Sequence, residues 1–266
     1  CQLRPLLKMN PGTLRGIIPW TSLWRKGTGH RVPIQDPARW RGEVGESDPF
    51  LLQHYSGTTG LQKGVSLSHR SVLEQVRRYA EAIRLSPRDK VVSWLPLYHD
   101  MGLIAAFLLP LIRGIPSIQI DPFQWVAFPA LLLRVITAER ATLAWLPHFA
   151  CNFMADRIPE RDLKGVKLDS MRMFINCSEP VRRESHDKFY QRFAPYGLKR
   201  TALSACYAMA ETTFAVTQTV PGTEAPVFAV DRRALARGRA RVPSGPGRER
   251  YCVSSGRPIS GCSVKL

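Results

Sequence analysis

From Phe50 onward, short apolar runs alternate with stretches whose apolar positions recur every three to four residues, the pattern of βα units built into a mainly parallel sheet. Leu51 to Tyr55 predicts a strand, Ser56 to Gly64 a Gly/Thr-rich loop, and Val65 to Leu67 a second strand. Ser68 is placed to cap a helix whose Val72, Val76, Tyr79, Ala80 and Ile83 share one face and which ends near Pro87. Val91 to Leu95 then reads as a strand, followed by a helix from about Gly102, a strand around Ile115 to Ile120 and a helix through Leu131 to Ile136. Thr142 to Leu146 and Met171 to Asn176 add strands, with helices after Pro147 and after Val181. Tyr251 to Ser254 and Cys262 to Leu266 read as strands, the chain stopping inside the second.

Two segments fall outside this rhythm. Residues 1–48 are rich in Pro, Gly and Arg without a sustained period, and Trp20, Trp24 and Trp40 suggest an arm lying on a surface. Residues 221–250 form a basic insertion or linker, expected to be mobile in part. Asp231 to Arg250 holds seven Arg opposed only by Asp231 and Glu249. Between them lies the α/β core, residues 49–220, and residues 251–266 open a further β-rich unit. The chain starts at Cys1 without an initiator Met, so it is expected to be a piece of a longer protein.

Composition narrows the function classes. With 44% hydrophobic residues among 266, disorder over the whole length is excluded. The longest apolar stretch, Met101 to Ile112, is broken by Pro110 and falls short of the about 20 residues a membrane span needs, so no transmembrane segment is expected. A net charge of +17, with 38 basic against 21 acidic residues, predicts affinity for anions. That charge is spread along the chain with no nucleic-acid-binding pattern, so nucleic acid is not the expected partner. The six Cys show no CxxC pair and no His at ligand spacing, which excludes a visible zinc site or disulfide framework and fits reduced thiols in a cytoplasmic protein.

Chemistry concentrates in a few stretches. Ser56 to Gly64 holds three hydroxyls, three glycines and Lys63 within nine residues, a composition suited to a polyphosphate. It is not a Walker A loop, since Gln62 precedes the lysine and Gly64 follows it. An ordinary turn of small residues is the alternative. Trp94 to Leu103 presents His99 and Asp100 just before an apolar helix, setting polar groups beside a greasy pocket, unless the pair is only structural. Phe174 to Val181 is an apolar strand ending in Cys177-Ser178-Glu179-Pro180, where open α/β sheets bind ligands. Cys206 to Thr213 sets the Tyr207 ring four residues before Glu211, so one can stack on a base while the other reaches a phosphate-bound cation.

In order and spacing these stretches resemble the fatty acyl-AMP ligases of the adenylate-forming superfamily. Ser56-Gly57-Thr58-Thr59-Gly60-Leu61-Gln62-Lys63-Gly64 is similar to their phosphate-binding signature, with Gln62 in place of the usual Pro. Residues 94–103 are similar to their aromatic-His-Asp turn, residues 174–181 to their Asn-Gly-Ala-Glu-Pro segment with Cys177 for Gly, and residues 206–213 to their Tyr-Gly-x-Thr/Ala-Glu motif with Ala208 for Gly. Val253-Ser254-Ser255-Gly256-Arg257-Pro258 resembles their Gly-Arg-Pro segment.

The resemblance implies a doubly wound α/β large domain, truncated before the C-terminal lid domain. It also implies a reaction in which a fatty carboxylate attacks ATP to give acyl-adenylate and pyrophosphate, the acyl group then passing to the phosphopantetheine thiol of an acyl carrier protein. A long-chain acyl-CoA synthetase using free CoA and a non-catalytic nucleotide- or acyl-binding fragment are the alternatives.

The implied catalytic residues are Lys63, His99 and Glu211. Lys63, Thr58 and Thr59 would hold phosphates with Ser56, Gly57 and Gly60. Cys177, Ser178, Glu179, Pro180, Tyr207, Ala208, Met209 and Ala210 would line the adenosine site, and Glu211 with Thr58 would hold Mg²⁺. His99 would gate or orient the acid; as a general base it has no task, because the carboxylate is already ionised. The family's Thr-Gly-Asp ribose motif and second-domain lysine have no counterpart here, so the chain alone is expected not to turn over.

Overall fold

The computed structural model describes residues 44–56 and 62–265. The expected arm lies outside them as far as residue 43, its three tryptophans included.

β1 (Pro49–Ser56) pairs antiparallel with β2 (Gln62–Ser68), Leu51 opposite Leu67 and Tyr55 opposite Lys63. The ladder extends past the strand predicted at Val65 to Leu67, so Gln62, Lys63 and Gly64 belong to β2 and the expected loop is shorter. Ser68 caps α1 (His69–Ala82), its Oγ accepting from the Ser71 N–H at 3.2 Å. The helix stops before Pro87 because Arg84 turns left-handed at φ 50° and the Leu85 N–H returns to the Ala80 carbonyl at 2.8 Å.

A seven-stranded sheet follows. Its strands are β3 (Val91–Ser93), β4 (Ser117–Gln119), β5 (Leu143–Pro147), β6 (Met173–Cys177), β7 (Leu203–Ala208), β8 (Ala215–Gln218) and β11 (Arg257–Pro258), in the order β11-β8-β7-β6-β5-β3-β4. The run from β7 to β4 is parallel, and β8 and β11 join antiparallel at one edge. The predicted strand at Cys262 to Leu266 is not formed over 262–265; β11 takes the edge position instead. Gly256 permits this with φ 97°, where a Cβ would sit 2.0 Å from the Gln218 carbonyl carbon.

Helices cover both faces. On one, α1 packs with a π-helix (Met101–Leu108), the helix expected from Gly102 in a wider form that continues as α2 (Leu109–Arg113). α3 (Pro122–Ala127) and α4 (Ala130–Glu139) connect β4 to β5. α5 (His148–Arg157) and α6 (Arg183–Phe193) pack together, α6 laying Phe189 against Phe174 of β6 at 5.5 Å between ring centroids. Fully buried Trp145, Tyr79, Phe214, Leu132 and Ile136 mark the core.

The basic segment has regular structure. β9 (Val227–Asp231) and β10 (Glu249–Val253) form their own antiparallel sheet, with α7 (Arg232–Leu235) capped by Asp231 Oδ1 accepting from the Ala234 N–H at 2.7 Å. Arg183 of α6 lies 4.6 Å over the Tyr251 ring and ties the hairpin down. No helix among the described residues is long and apolar enough to cross a membrane.

Candidate adenylate site at the carboxyl edge of the sheet

The chain leaves β3 to build β4 on one side, then returns to build β5, β6 and β7 on the other. Strand order therefore reverses between β3 and β5, and a crevice opens outside the carboxyl ends of strands at such a reversal. Residues 94–100 follow β3, His148 follows β5, Ser178 to Pro180 follow β6, and Met209 to Thr213 follow β7. Four stretches, spread from residue 94 to residue 213, thus share one sheet edge.

At the β3 end, His99 Nδ1 lies 2.6 Å from Asp100 Oδ1, and the Met101 N–H donates to that same carboxylate oxygen at 2.6 Å. The Asp100 hydrogen bond raises the imidazole above its ordinary value, partly offset by burial. His99 is half-exposed, so its ring edge reaches the crevice side of the turn while Asp100 holds Nδ1. Behind it Trp94 stacks on Trp125 of α3 at 3.7 Å, and Phe149 and Phe153 of α5 close the cluster. This aromatic cluster was not legible in the sequence, since Trp94, Trp125 and the Phe149–Phe153 pair come from three different elements.

At the β6 end, Ser178 adopts φ 75°, the left-handed region that residues with side chains avoid. Its Oγ lies 3.9 Å from the Met101 sulfur, linking this turn to the one after β3. Cys177 is fully buried and lies beside Cys206 of β7, whose thiol is raised well above its ordinary value by burial and by that neighbour. The Cys177 thiol thus belongs to the core with Tyr79, which leaves the backbone of Cys177 at the strand end beside Ser178. Glu179 and Pro180 are exposed on the same turn.

At the β7 end, Tyr207 is 51% exposed, leaving a ring face free for stacking. A tight turn then reverses the chain into β8. The Met209 N–H donates to the Phe214 carbonyl at 2.9 Å, and the Thr212 hydroxyl lies 3.0 Å from the carbonyls of both Met209 and Phe214. Thr213 takes φ 73° to close it. Ala210 is buried beneath the turn, Ala208 and Met209 are half-buried, and Glu211 is exposed at its tip.

Gly57, Thr58, Thr59 and Gly60 lie outside the described residues, as do the side chains of Ser56 and Lys63. The backbone of β1 and β2 nevertheless joins that loop to α1. The carboxyl end of α1 lies at the amino edge of the sheet, where Arg172 next to β6 reaches the Ile83 and Arg84 carbonyls at 3.4 and 3.3 Å. Its amino end therefore points toward the carboxyl edge. No cluster of three or more His, Cys, Asp or Glu suited to a metal occurs among the described residues. Glu211 makes no ion pair among them either, and one free carboxylate completed by substrate oxygens suits Mg²⁺.

Comparison with known proteins bears on this geometry. The AMP-binding enzyme family matches residues 20–266. The chain is 31% identical over 240 residues to the medium-chain-fatty-acid–[acyl-carrier-protein] ligase JamA of Moorena producens, covering 89% of this chain and 40% of that protein. It is 32% identical over 200 residues to the long-chain-fatty-acid–AMP ligase FadD26 of Mycobacterium marinum, covering 73% of this chain and 34% of that one. Among solved structures, the fatty acid AMP ligase from Legionella pneumophila superposes with a TM-score of 0.78 at 33% identity, over 81% of this chain and 38% of its own. The chain thus spans about two fifths or less of the relatives it matches, and over that part it has their α/β fold with a mainly parallel central sheet. With the family pattern running from residue 20 to residue 266, this chain belongs to the AMP-binding enzymes.

Proposed function

We propose that the protein carrying this chain activates a fatty acid with ATP to acyl-adenylate, releasing pyrophosphate, and then passes the acyl group to the phosphopantetheine thiol of an acyl carrier protein. The observation that carries this reading is the convergence of Tyr207, Ser178, Glu179, Glu211 and His99 on one sheet edge beside an aromatic wall. It is supported by 33% identity to a fatty acyl-adenylate ligase from L. pneumophila whose structure holds acyl adenylate and pyrophosphate. Carrier transfer is favoured by the likeness to JamA, named for an acyl-carrier-protein acceptor.

In this reading Tyr207 stacks on the adenine, and Ser178, Glu179, Pro180 and the backbone of Cys177 form the opposite lip. Ala208, Met209 and Ala210 shape the floor. Thr58, Thr59 and Lys63, with Ser56, Gly57 and Gly60, hold the β- and γ-phosphates. His99, its charge favoured by Asp100, orients the fatty carboxylate, and Phe149, 48% exposed in front of the buried Trp94–Trp125 stack, offers apolar surface to the start of the acyl chain. Glu211 with Thr58 would hold Mg²⁺, which would supply charge neutralisation for the phosphates. The cysteines among the described residues are free thiols, which suits the reducing cytoplasm.

Pyrophosphate release from ATP across fatty acids of graded length tests the reaction, with free CoA and a carrier protein supplied in parallel as acceptors. Glu211→Gln keeps the shape of the side chain and removes its charge. The Mg²⁺ concentration for half-maximal release should rise about tenfold. An unmoved Mg²⁺ titration would remove Glu211 from the metal site.

A further inference from the structure

Beneath the Ser178 turn sits a polar cluster that none of the roles above uses. Asn176, 2% exposed on β6, directs its Nδ2 to His148 Nδ1 at 3.0 Å and to His186 Nε2 at 3.1 Å. The same atom lies 3.7 Å from the Cys151 sulfur. Both histidines are buried, His148 at the start of α5 and His186 on α6. One carboxamide thus joins the central strand to both helices of its layer. The register of β5 and β6 pairs Pro147 with Cys177, which sets His148 abreast of Ser178, the residue forced to φ 75°.

An amide that donates both hydrogens needs an acceptor on each side. His148 must then carry its proton on Nε2 and His186 on Nδ1. Burial holds both rings toward the neutral form: it is the largest cause lowering His148, and it lowers His186 to about 4 with help from His148 and Arg200. The arrangement leaves His148 Nε2 and Asn176 Oδ1 buried with no partner among the described residues. An apolar trio of similar volume would avoid that penalty, so stability alone does not account for these residues.

We propose that His148 and His186 are positioning residues for nucleotide binding: by clamping the Asn176 carboxamide they fix the end of β6 and hold Ser178 and Glu179 in the left-handed turn that presents them to adenosine. This deepens the adenylation reading and rests on its assignment of Ser178 and Glu179. Freed of the clamp, Ser178 relaxes toward extended backbone and carries Glu179 away from the nucleotide.

The test uses AMP as probe, in the protein carrying this chain. His148→Leu and His186→Phe remove an acceptor; His148→Asn and His186→Gln keep one where Nδ1 and Nε2 stood. The expected result is a dissociation constant for AMP raised about tenfold by the first pair and less than about threefold by the second. In turnover the KM for ATP should rise, with the KM for fatty acid unchanged. Nitrogen-15 spectra of labelled histidine should show unprotonated Nδ1 in His148 and unprotonated Nε2 in His186 at neutral pH.

Equal losses in both pairs, or protons on the two ring nitrogens that face Asn176, would overturn the proposal. Variants that fail to fold leave the wild-type spectrum to decide it. Failure of the functional reading is separable: wild-type protein that binds AMP but releases no pyrophosphate with any fatty acid refutes the reaction, while the AMP series and the spectrum still judge the clamp.

Discussion

Gly102 has no room for a side chain, since a Cβ there would lie 2.2 Å from the Pro96 carbonyl oxygen, which is backbone and cannot step aside. The turn carrying His99 and Asp100 folds back that closely onto the first π-helical residues. Gly102→Ala should cost about 3 kcal/mol or more, read as a lowered urea midpoint. Reduced pyrophosphate release should accompany it, because the His99 loop moves first. The sequence placed His99 and Asp100 before an apolar helix, but it gave no sign that a glycine fixes their turn. Cys177 teaches the converse. It stands in a recognisable motif, yet the alternation of β6 sends its thiol into the core and leaves Ser178 to face the crevice.

At the scale of elements, periodicity found α1 and its Ser68 cap because both signals are local. β7 and β8 were not predicted, being short strands on either side of a motif read for its chemistry. What holds them under α1 is long-range. The Trp145 indole N–H donates to the Tyr79 hydroxyl at 2.9 Å, and that hydroxyl donates to Gln218 Oε1 at 2.9 Å. Gln218 Nε2 in turn donates to Ser204 Oγ at 2.7 Å. Tyr79→Phe would strand a buried N–H and a buried carbonyl, so we expect a loss of about 3 kcal/mol and a lower melting temperature. A melting curve superposing on wild type would mean that the network contributes nothing net.

Across the whole molecule, two buried titratable sites make the fold sensitive to acid. His186 stays neutral down to about 4 when folded, through burial first, whereas the unfolded side chain takes up its proton near 6.5. Stability therefore falls as pH drops from about 6.5 to about 4, by about 3 kcal/mol in all. His186→Gln should flatten that stretch of the stability curve; an unchanged slope would rule out the site. Asp89 adds to the effect lower down. Burial alone would raise its carboxyl, but hydrogen bonds from Arg172, Thr142 and the Ser86 N–H bring it below the usual range, so its contribution is lost as pH falls through that lowered value.

The basic hairpin is the other feature at this scale. β9 and β10 form a sheet separate from the central one, so deleting 225–249 leaves the seven strands paired. With Tyr251 set on α6, the deletion should leave acyl-AMP formation largely intact, raise use of free CoA and reduce the salt sensitivity of transfer to a carrier. If CoA use and salt sensitivity both stay put, the hairpin has no part in acceptor choice.

The sequence by itself determined the α/β class, most helices and parallel strands, and the order of the chemistry-bearing stretches, because apolar period, caps and glycine loops are written within a few neighbouring residues. Only the tertiary structure decided that those stretches meet where strand order reverses between β3 and β5, that Trp94 stacks on Trp125, and that Asn176 is clamped between His148 and His186. These contacts join residues 10 to 31 positions apart on separate elements, and which side chains meet depends on strand order and register, quantities that no local window of sequence contains.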